Sequence, residues 1–167
     1  FITGGCGFIG SNLAEYHINK GDEVHVVDNL STGRIENIAA LQENPAFRFD
    51  EADILTWTGL TKAVQWADRI YHLAALVGMF KAVSEPISLI TNNILGCRHL
   101  LHTIGQSGAK PVVVITSSSS VYGDNPKHLL NEEDDLILTP PTHPLATYTV
   151  SKLSDEIIAL AYYREQH

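Results

Sequence analysis

Three glycines spaced three apart, Gly4, Gly7 and Gly10, stand between an apolar strand end, Phe1-Ile2-Thr3, and a helical pattern. This arrangement constrains the fold more than any other feature of the chain. Glycine has no Cβ, so such a loop turns sharply and lets its backbone approach a bulky anion. A helix opening there points free N–H groups and a positive dipole end at a phosphate. Alone, the triplet fits a plain tight turn equally well. The context favours a dinucleotide loop: strand before, helix after, and Asp28 at the end of the next strand, close to the expected distance.

The remaining pattern alternates. A helix is predicted over Phe8–Asn19, with Ile9, Leu13, Tyr16 and Lys20 as its stripe and Gly21 as its C-terminal cap. Val24–Val27 reads as a buried strand and Asn29–Gly33 as a loop. A helix over Arg34–Glu43, closed off by Pro45, leads to a short strand at Phe47–Phe49. Then come a helix over Leu60–Trp66, a strand over Arg69–Leu73 and a long helix over Ser84–Ser107 with Leu89, Ile90, Ile94, Leu100, Leu101 and Ile104 as its apolar face. Val112–Ile115 is the most apolar strand. The acidic, proline-bearing stretch Asp124–Pro144 reads as a loop, and a last helix starts near Leu145. Strand–helix alternation predicts an α/β fold: a doubly wound, Rossmann-type parallel sheet with helices on both faces. Only three residues precede the glycine loop, against about five or six for a typical strand, and the last helix is still open at His167. The expectation is therefore one dinucleotide-binding domain over residues 1–167, its first strand clipped, at the start of a longer protein.

Charge and cysteine content narrow the classes. Eleven Lys and Arg against 19 Asp and Glu give a net charge of −8. Nucleic acid and anionic membrane surfaces call for the opposite, a basic patch. No apolar run reaches the length of a membrane span. Cys6 and Cys97 suggest no disulfide framework, so a reducing, cytoplasmic location is expected.

Four groups of residues carry chemistry. Asp28 can accept both ribose hydroxyls of an adenosine and repels a 2′-phosphate, which predicts NAD over NADP; its other reading is a loop or capping Asp, and Arg34 nearby can tolerate a phosphate. Tyr148 and Lys152 lie four apart, on one helix face. A phenol titrates near 10, and a neighbouring ammonium favours its phenolate; the plainer reading is a solvated Lys beside a half-buried Tyr. Ser117–Ser120 is either a polar strand exit or a source of a hydroxyl for the substrate oxygen that Tyr148 deprotonates. His99 and His102 are spaced like a metal pair, but no Cys or carboxylate is placed to complete a site, so no metal is expected. Glu132–Asp135 reads as a solvated loop, and Cys6 as a small filler within the glycine loop.

Together, Thr3–Gly10, Asp28–Gly33, Asp53-Ile54, His72–Ala75, Asn92–Gly96, Ser117–Gly123 and Tyr148-x-x-x-Lys152 resemble the extended short-chain dehydrogenase/reductases, in their nucleotide-sugar epimerase/dehydratase branch. The resemblance covers the whole chain. It implies that Gly4, Gly5, Cys6, Gly7, Phe8, Ile9 and Gly10 hold the pyrophosphate. Asp28, Asn29, Leu30, Ser31, Thr32 and Gly33 would serve the adenosine ribose, with Asp53 and Ile54 flanking the adenine. Leu73, Ala74, Ala75, Leu76 and Asn92 would line the nicotinamide side, with Ser117 at the strand exit beside it. Ser118 would be the catalytic hydroxyl, Tyr148 the base and Lys152 its partner. Such proteins run about twice this length and pair two helices across a homodimer axis. Their C-terminal half, a substrate domain absent here, supplies most sugar-nucleotide contacts.

The family implies an NAD-dependent enzyme acting on a UDP-, GDP- or dTDP-linked sugar. Departures narrow its reaction. The 4,6-dehydratases carry an Asp-Glu pair where this chain has Ser119 and Ser120, and the UDP-glucuronate decarboxylases usually have Glu at the place of Ser120. The 4-epimerases tolerate small residues there, although Val77 stands where some of them have Lys. The expected activity is therefore 4-epimerisation through a transient 4-ketosugar, with hydride passing to and from bound NAD. Decarboxylation and 4,6-dehydration are the alternatives within the family. A non-catalytic NAD-binding sensor is the alternative outside it, and the intact Ser118, Tyr148 and Lys152 set argues against that.

Overall fold

Five short strands make one parallel sheet: β1 (Ile2–Thr3), β2 (Val24–Asp28), β3 (Phe47–Glu51), β4 (Arg69–His72) and β5 (Val112–Ile115), in the spatial order β3-β2-β1-β4-β5. The structure, a computed structural model, describes residues 1–166. β1 is central: Ile2 pairs with Val26 and Tyr71, and Thr3 with Val27 and His72. Chain order reverses direction on the two sides of β1, so the crevice of this open sheet lies at the carboxyl ends of β1, β2 and β4.

The central strands β1 and β2 are buried along their whole length because both faces are covered there, whereas Val112 and Val114 of the edge strand β5 are exposed. Alternate residues go to opposite sides. Val27 and Ile70 join Leu60, Ala63, Val64 and Leu100 on one face, under α2 (Leu60–Trp66) and the long helix α4 (Pro86–Ser107). Ile2, Val24 and Val26 join Cys6, Ala14, Ile38 and Leu41 on the other, under α1 (Phe8–Asn19) and a 3₁₀ helix at Ile35–Leu41. The last helix, α5 (Ala146–Gln166), packs along α4. His167, where the sequence leaves this helix open, lies outside the described residues. Among the described residues no helix is long and apolar enough to cross a membrane.

Four local expectations are corrected. Most of the stripe assigned to α1 turns away from the sheet: Ile9 is 61% and Tyr16 53% exposed and Lys20 is exposed, while Leu13 packs on the core beside the buried Gly10, Ser11 and Ala14. Small residues take that face because the helix start must press against the glycine loop. The helix expected over Arg34–Glu43 is the tighter 3₁₀ form and shorter. The helix expected over Ser84–Ser107 is α4, which starts at Pro86 because proline opens a first turn, and a short helix not expected from sequence, α3 (Met79–Ser84), precedes it with a break at Glu85. The buried stripe of α4 is also less apolar than expected, with Asn93 at its centre.

Candidate functional site

The glycine loop closes β1 onto α1 by contacts that exclude side chains. Gly4 has φ +72°, and a Cβ there would lie 2.6 Å from the Ala74 nitrogen. A Cβ on Gly10 would lie 2.4 Å from the Gly4 oxygen. The start of α1 carries no side-chain cap and no acidic residue in its first turn. Its amino end therefore remains a positive, donor-rich surface.

Asp28 ties this loop to the next. Its Oδ2 accepts the Cys6 N–H at 2.9 Å, and its Oδ1 accepts the Leu30 N–H at 2.8 Å. The carboxylate is buried to 9% exposure but retains lone pairs toward the cavity it lines. Leu30 holds φ +56° to make the turn. Asn29 donates to Asp53 Oδ2 at 3.0 Å, joining the ends of two loops over the sheet. A Cβ on Gly33 would press on Cys6 and Asp28, so these two loops meet directly. Burial, then the nearby charges of Asp28 and Glu51, push the Cys6 thiol up to about 12, which fits a filler and not a nucleophile.

These loops border a cavity of about 590 Å³ at the carboxyl ends of the strands. Of the residues predicted from sequence, Gly4, Gly7, Phe8, Ile9, Gly10, Asp28, Asn29, Ser31, Thr32 and Gly33 line it. So do Asp53, Ile54, Leu73, Ala74, Ala75, Leu76, Asn92, Ser117, Tyr148 and Lys152. Gly5, Cys6, Leu30 and Ser118 are not in the lining. Gly5 lies against Val26 and Cys6 is buried, so both act from behind the loop. Ser118 caps a 3₁₀ turn at Ser119–Tyr122, its Oγ accepting from the Ser120 N–H at 3.2 Å and from the Ser120 hydroxyl at 3.0 Å. Thr116 and Ser117 line the cavity beside it, but their hydroxyls turn elsewhere: Thr116 Oγ1 donates to the His72 carbonyl at 3.3 Å and Ser117 Oγ donates to Glu156 Oε1.

Tyr148 and Lys152 enter from the first turns of α5. Lys152 is 4% exposed; its Nζ donates to the Thr116 carbonyl at 3.0 Å and to Asp155 Oδ2 at 3.3 Å. His72, at the end of β4, is held near 3 by burial and by the Lys152 charge, so it is neutral. It shares a 2.7 Å hydrogen bond with Thr3 Oγ1, which also accepts the Ala74 N–H. This polar post fixes the loop after β4 over the glycines. His99 and His102 lie away from the cavity, and His102 Nδ1 is 3.5 Å from the Tyr162 hydroxyl.

Three contributors lie outside the sequence reading. Thr116 is one. Asn93 is another: its Oδ1 accepts the Leu76 N–H at 2.7 Å while its Nδ2 donates to the Leu76 carbonyl and to Ser151 Oγ. It thereby clamps the cavity wall to α4 and α5. The third is Asp155. An Asn doublet at 92 and 93 was the available signal for the clamp; an acidic residue three after a lysine on a helix gives no signal of burial.

The whole chain, residues 1–167, matches a family model described as GDP-mannose 4,6 dehydratase. Over 163 residues it is 34% identical to UDP-glucuronic acid decarboxylase 1 of Arabidopsis thaliana, covering 98% of this chain and 36% of that protein. Among solved structures, it superposes with a TM-score of 0.86 and 31% identity on a variant of UDP-glucuronic acid 4-epimerase from Bacillus cereus in complex with NAD and a 4-deoxy-4-fluoro analogue of UDP-glucuronic acid. That match covers 99% of this chain and 52% of the other. The dTDP-glucose 4,6-dehydratase of Streptomyces venezuelae, bound to NAD, matches with a TM-score of 0.84 and 29% identity over 98% of this chain and 51% of that one. The chain thus spans about half or less of the length of these relatives.

Proposed function

Since the chain belongs to the nucleotide-sugar epimerase and dehydratase branch of the extended short-chain dehydrogenase/reductases, we propose that it is the NAD-binding part of a nucleotide-sugar 4-epimerase. The observation that carries this reading is that one cavity is bordered by the glycine loop, by Asp28, and by Tyr148 and Lys152. The fit to NAD rests on the same wall: glycines at contacts that a Cβ would fill, an uncapped helix start, and a carboxylate with lone pairs to spare. When bound, NAD supplies the acceptor and later the donor of a hydride.

The chain's own residues then have separable tasks. The N–H groups at the start of α1 face the pyrophosphate, and Asp28 receives the adenosine ribose. Tyr148 takes the proton of the sugar 4-hydroxyl and returns it after the ketosugar has turned in the site. Lys152 holds a positive charge beside that phenol, and Ser118, whose Oγ accepts from Ser120, supplies a hydroxyl to the sugar oxygen. No carboxylate stands at 119 or 120, and both donors of Ser120 are spent on Ser118. Elimination of water therefore lacks the Asp-Glu pair that the resemblance calls for, and decarboxylation lacks its usual Glu at 120, whereas epimerisation needs neither. A homodimer formed through α4 and α5 is part of the same proposal, as is a sugar-nucleotide site completed by further chain.

Incubating the full-length protein with UDP-, GDP- and dTDP-linked sugars and reading products by NMR tests this function. A C4 epimer appearing in equilibrium with its substrate is expected; carbon dioxide release or a 4-keto-6-deoxy product would reassign the reaction. The cofactor preference has its own test. Calorimetric titration of the parent protein should show NAD bound at least about tenfold more tightly than NADP, since a 2′-phosphate would face the Asp28 carboxylate at a cost near 1.4 kcal/mol or more. Equal affinities would remove Asp28 from the ribose site.

A further inference from the structure

We propose that Asp155 is the positioning counter-ion of Lys152, holding its ammonium at the Thr116 carbonyl so that its remaining N–H is turned to the cavity. The inference rests on the reading of Lys152 as the catalytic lysine. An ammonium has three donors. One is used on Thr116 O at 3.0 Å and one on Asp155 Oδ2 at 3.3 Å, and Lys152 itself lines the cavity beside Tyr148. Both partners are interior: the Lys152 side chain is 5% exposed and that of Asp155 2%. This is not a solvated helix pair, whose contribution would be slight.

The surroundings leave Lys152 with Asp155 as its close charge partner. His72 on β4 is neutral, because burial and the lysine charge both disfavour its cation. Cys97 on α4 is a thiol, raised to about 12 by burial and then by Asp155, and its Sγ lies 3.9 Å from the Asp155 main-chain oxygen. Glu156 on α5 points its Oε1 to Ser117. Tyr148, one turn earlier on α5, faces the cavity. Burial also raises the Asp155 carboxyl, and Lys152 opposes that rise.

The other oxygen, Asp155 Oδ1, is buried, and apart from Lys152 the side-chain donor beside this carboxyl is the weakly donating Cys97 thiol. A carboxylate this deep, with one ammonium and a weak thiol donor about it, is unfavourable unless the opposite charge lies beside it. An amide of the same shape would serve packing equally well. The carboxylate is thus explained by its charge. Its effect is to keep Lys152 protonated inside the protein and to temper the field that Lys152 exerts on Tyr148.

The test uses the full-length protein with lysine labelled at Cε, and follows Lys152 by NMR from neutral to alkaline pH. Asp155→Asn should melt below the parent, because the buried ammonium loses its counter-charge, and, where folded, should lower the Lys152 titration midpoint by about one to three pH units, the size of effect an adjacent opposite charge produces. An unchanged midpoint in folded Asp155→Asn overturns the proposal. Should that variant not fold, Lys152→Met reads the same coupling from the other side: the Asp155 carboxyl, labelled at Cγ, should then titrate at higher pH, and an unmoved carboxyl overturns the proposal. Neither readout needs turnover or bound dinucleotide, so a failure of the epimerase reading leaves it intact.

Discussion

Tyr148→Phe in the full-length protein is expected to leave NAD affinity nearly unchanged and to cut turnover by about a hundred- to ten-thousandfold, the usual cost of losing a general base. The ring keeps its packing in the first turns of α5, where Tyr148 is half-buried; only the titrating oxygen goes. The dinucleotide contacts proposed above lie elsewhere along the cavity, on the glycine loop, Asp28 and the loop after β4. Lys152→Ala should behave differently and reduce both affinity and rate, because it removes the charge beside the phenol and the donor at the cavity wall. It should also shift the rising limb of the pH–rate profile to higher pH, since the phenolate loses its stabilising cation. Ser118→Ala should cost less than Tyr148→Phe. Ser118 lies outside the cavity lining, and a neighbouring serine or a water can take over its hydrogen bond. Single-turnover reduction of bound NAD makes the comparison. If Tyr148→Phe reduces NAD at the parent rate at every pH, Tyr148 is not the base.

Gly10→Ala is expected to weaken NAD binding by at least about tenfold and to destabilise the fold by about 1–3 kcal/mol, the usual range for overpacking. The new methyl would stand 2.4 Å from the Gly4 oxygen and 2.6 Å from the Gly5 Cα. Both are backbone atoms, so the loop and the start of α1 must separate, and the cradle opens. Gly96→Ala is the control. It lies within α4, and its Cβ would meet only the Ile54 side chain at 3.7 Å. Alanine there relieves the helix of glycine's entropic cost, so stability should be level or higher. Thermal melts with NAD titrations of both variants check the pair. Equal behaviour would show that the close contact at Gly10 does not shape the site.

The glycine loop, Asp28 and the Tyr148–Lys152 pair were legible because each is local. A loop with fixed spacing, a strand end and a one-turn interval are all written in consecutive residues. What was not legible depends on which way a face turns. Ile9 and Tyr16 look like core residues of α1, yet the glycine contacts demand Gly10, Ser11 and Ala14 on the sheet side, and Ile9 goes to the cavity. The break at Glu85 was hidden because a proline placed early in a helical pattern reads equally as its interior or its first turn. Ser118 rests on the motif alone, and the 3₁₀ turn after β5 puts it outside the cavity lining while Thr116 and Ser117 lie within it. Asp155 was invisible because its burial is made by packing between α4 and α5, two segments far apart in the chain.

The two cysteines have a practical bearing of another kind. Both are fully enclosed at 0% exposure, with thiols raised to about 12, so a thiol reagent meets neither until the protein locally opens. Cys6 sits beneath the loops that Asp28 ties together; Cys97 sits where α4 meets α5, beside Asp155. Their labelling rates are therefore two independent clocks. One times the loosening of the glycine loop and should slow when NAD binds. The other times the parting of the two long helices.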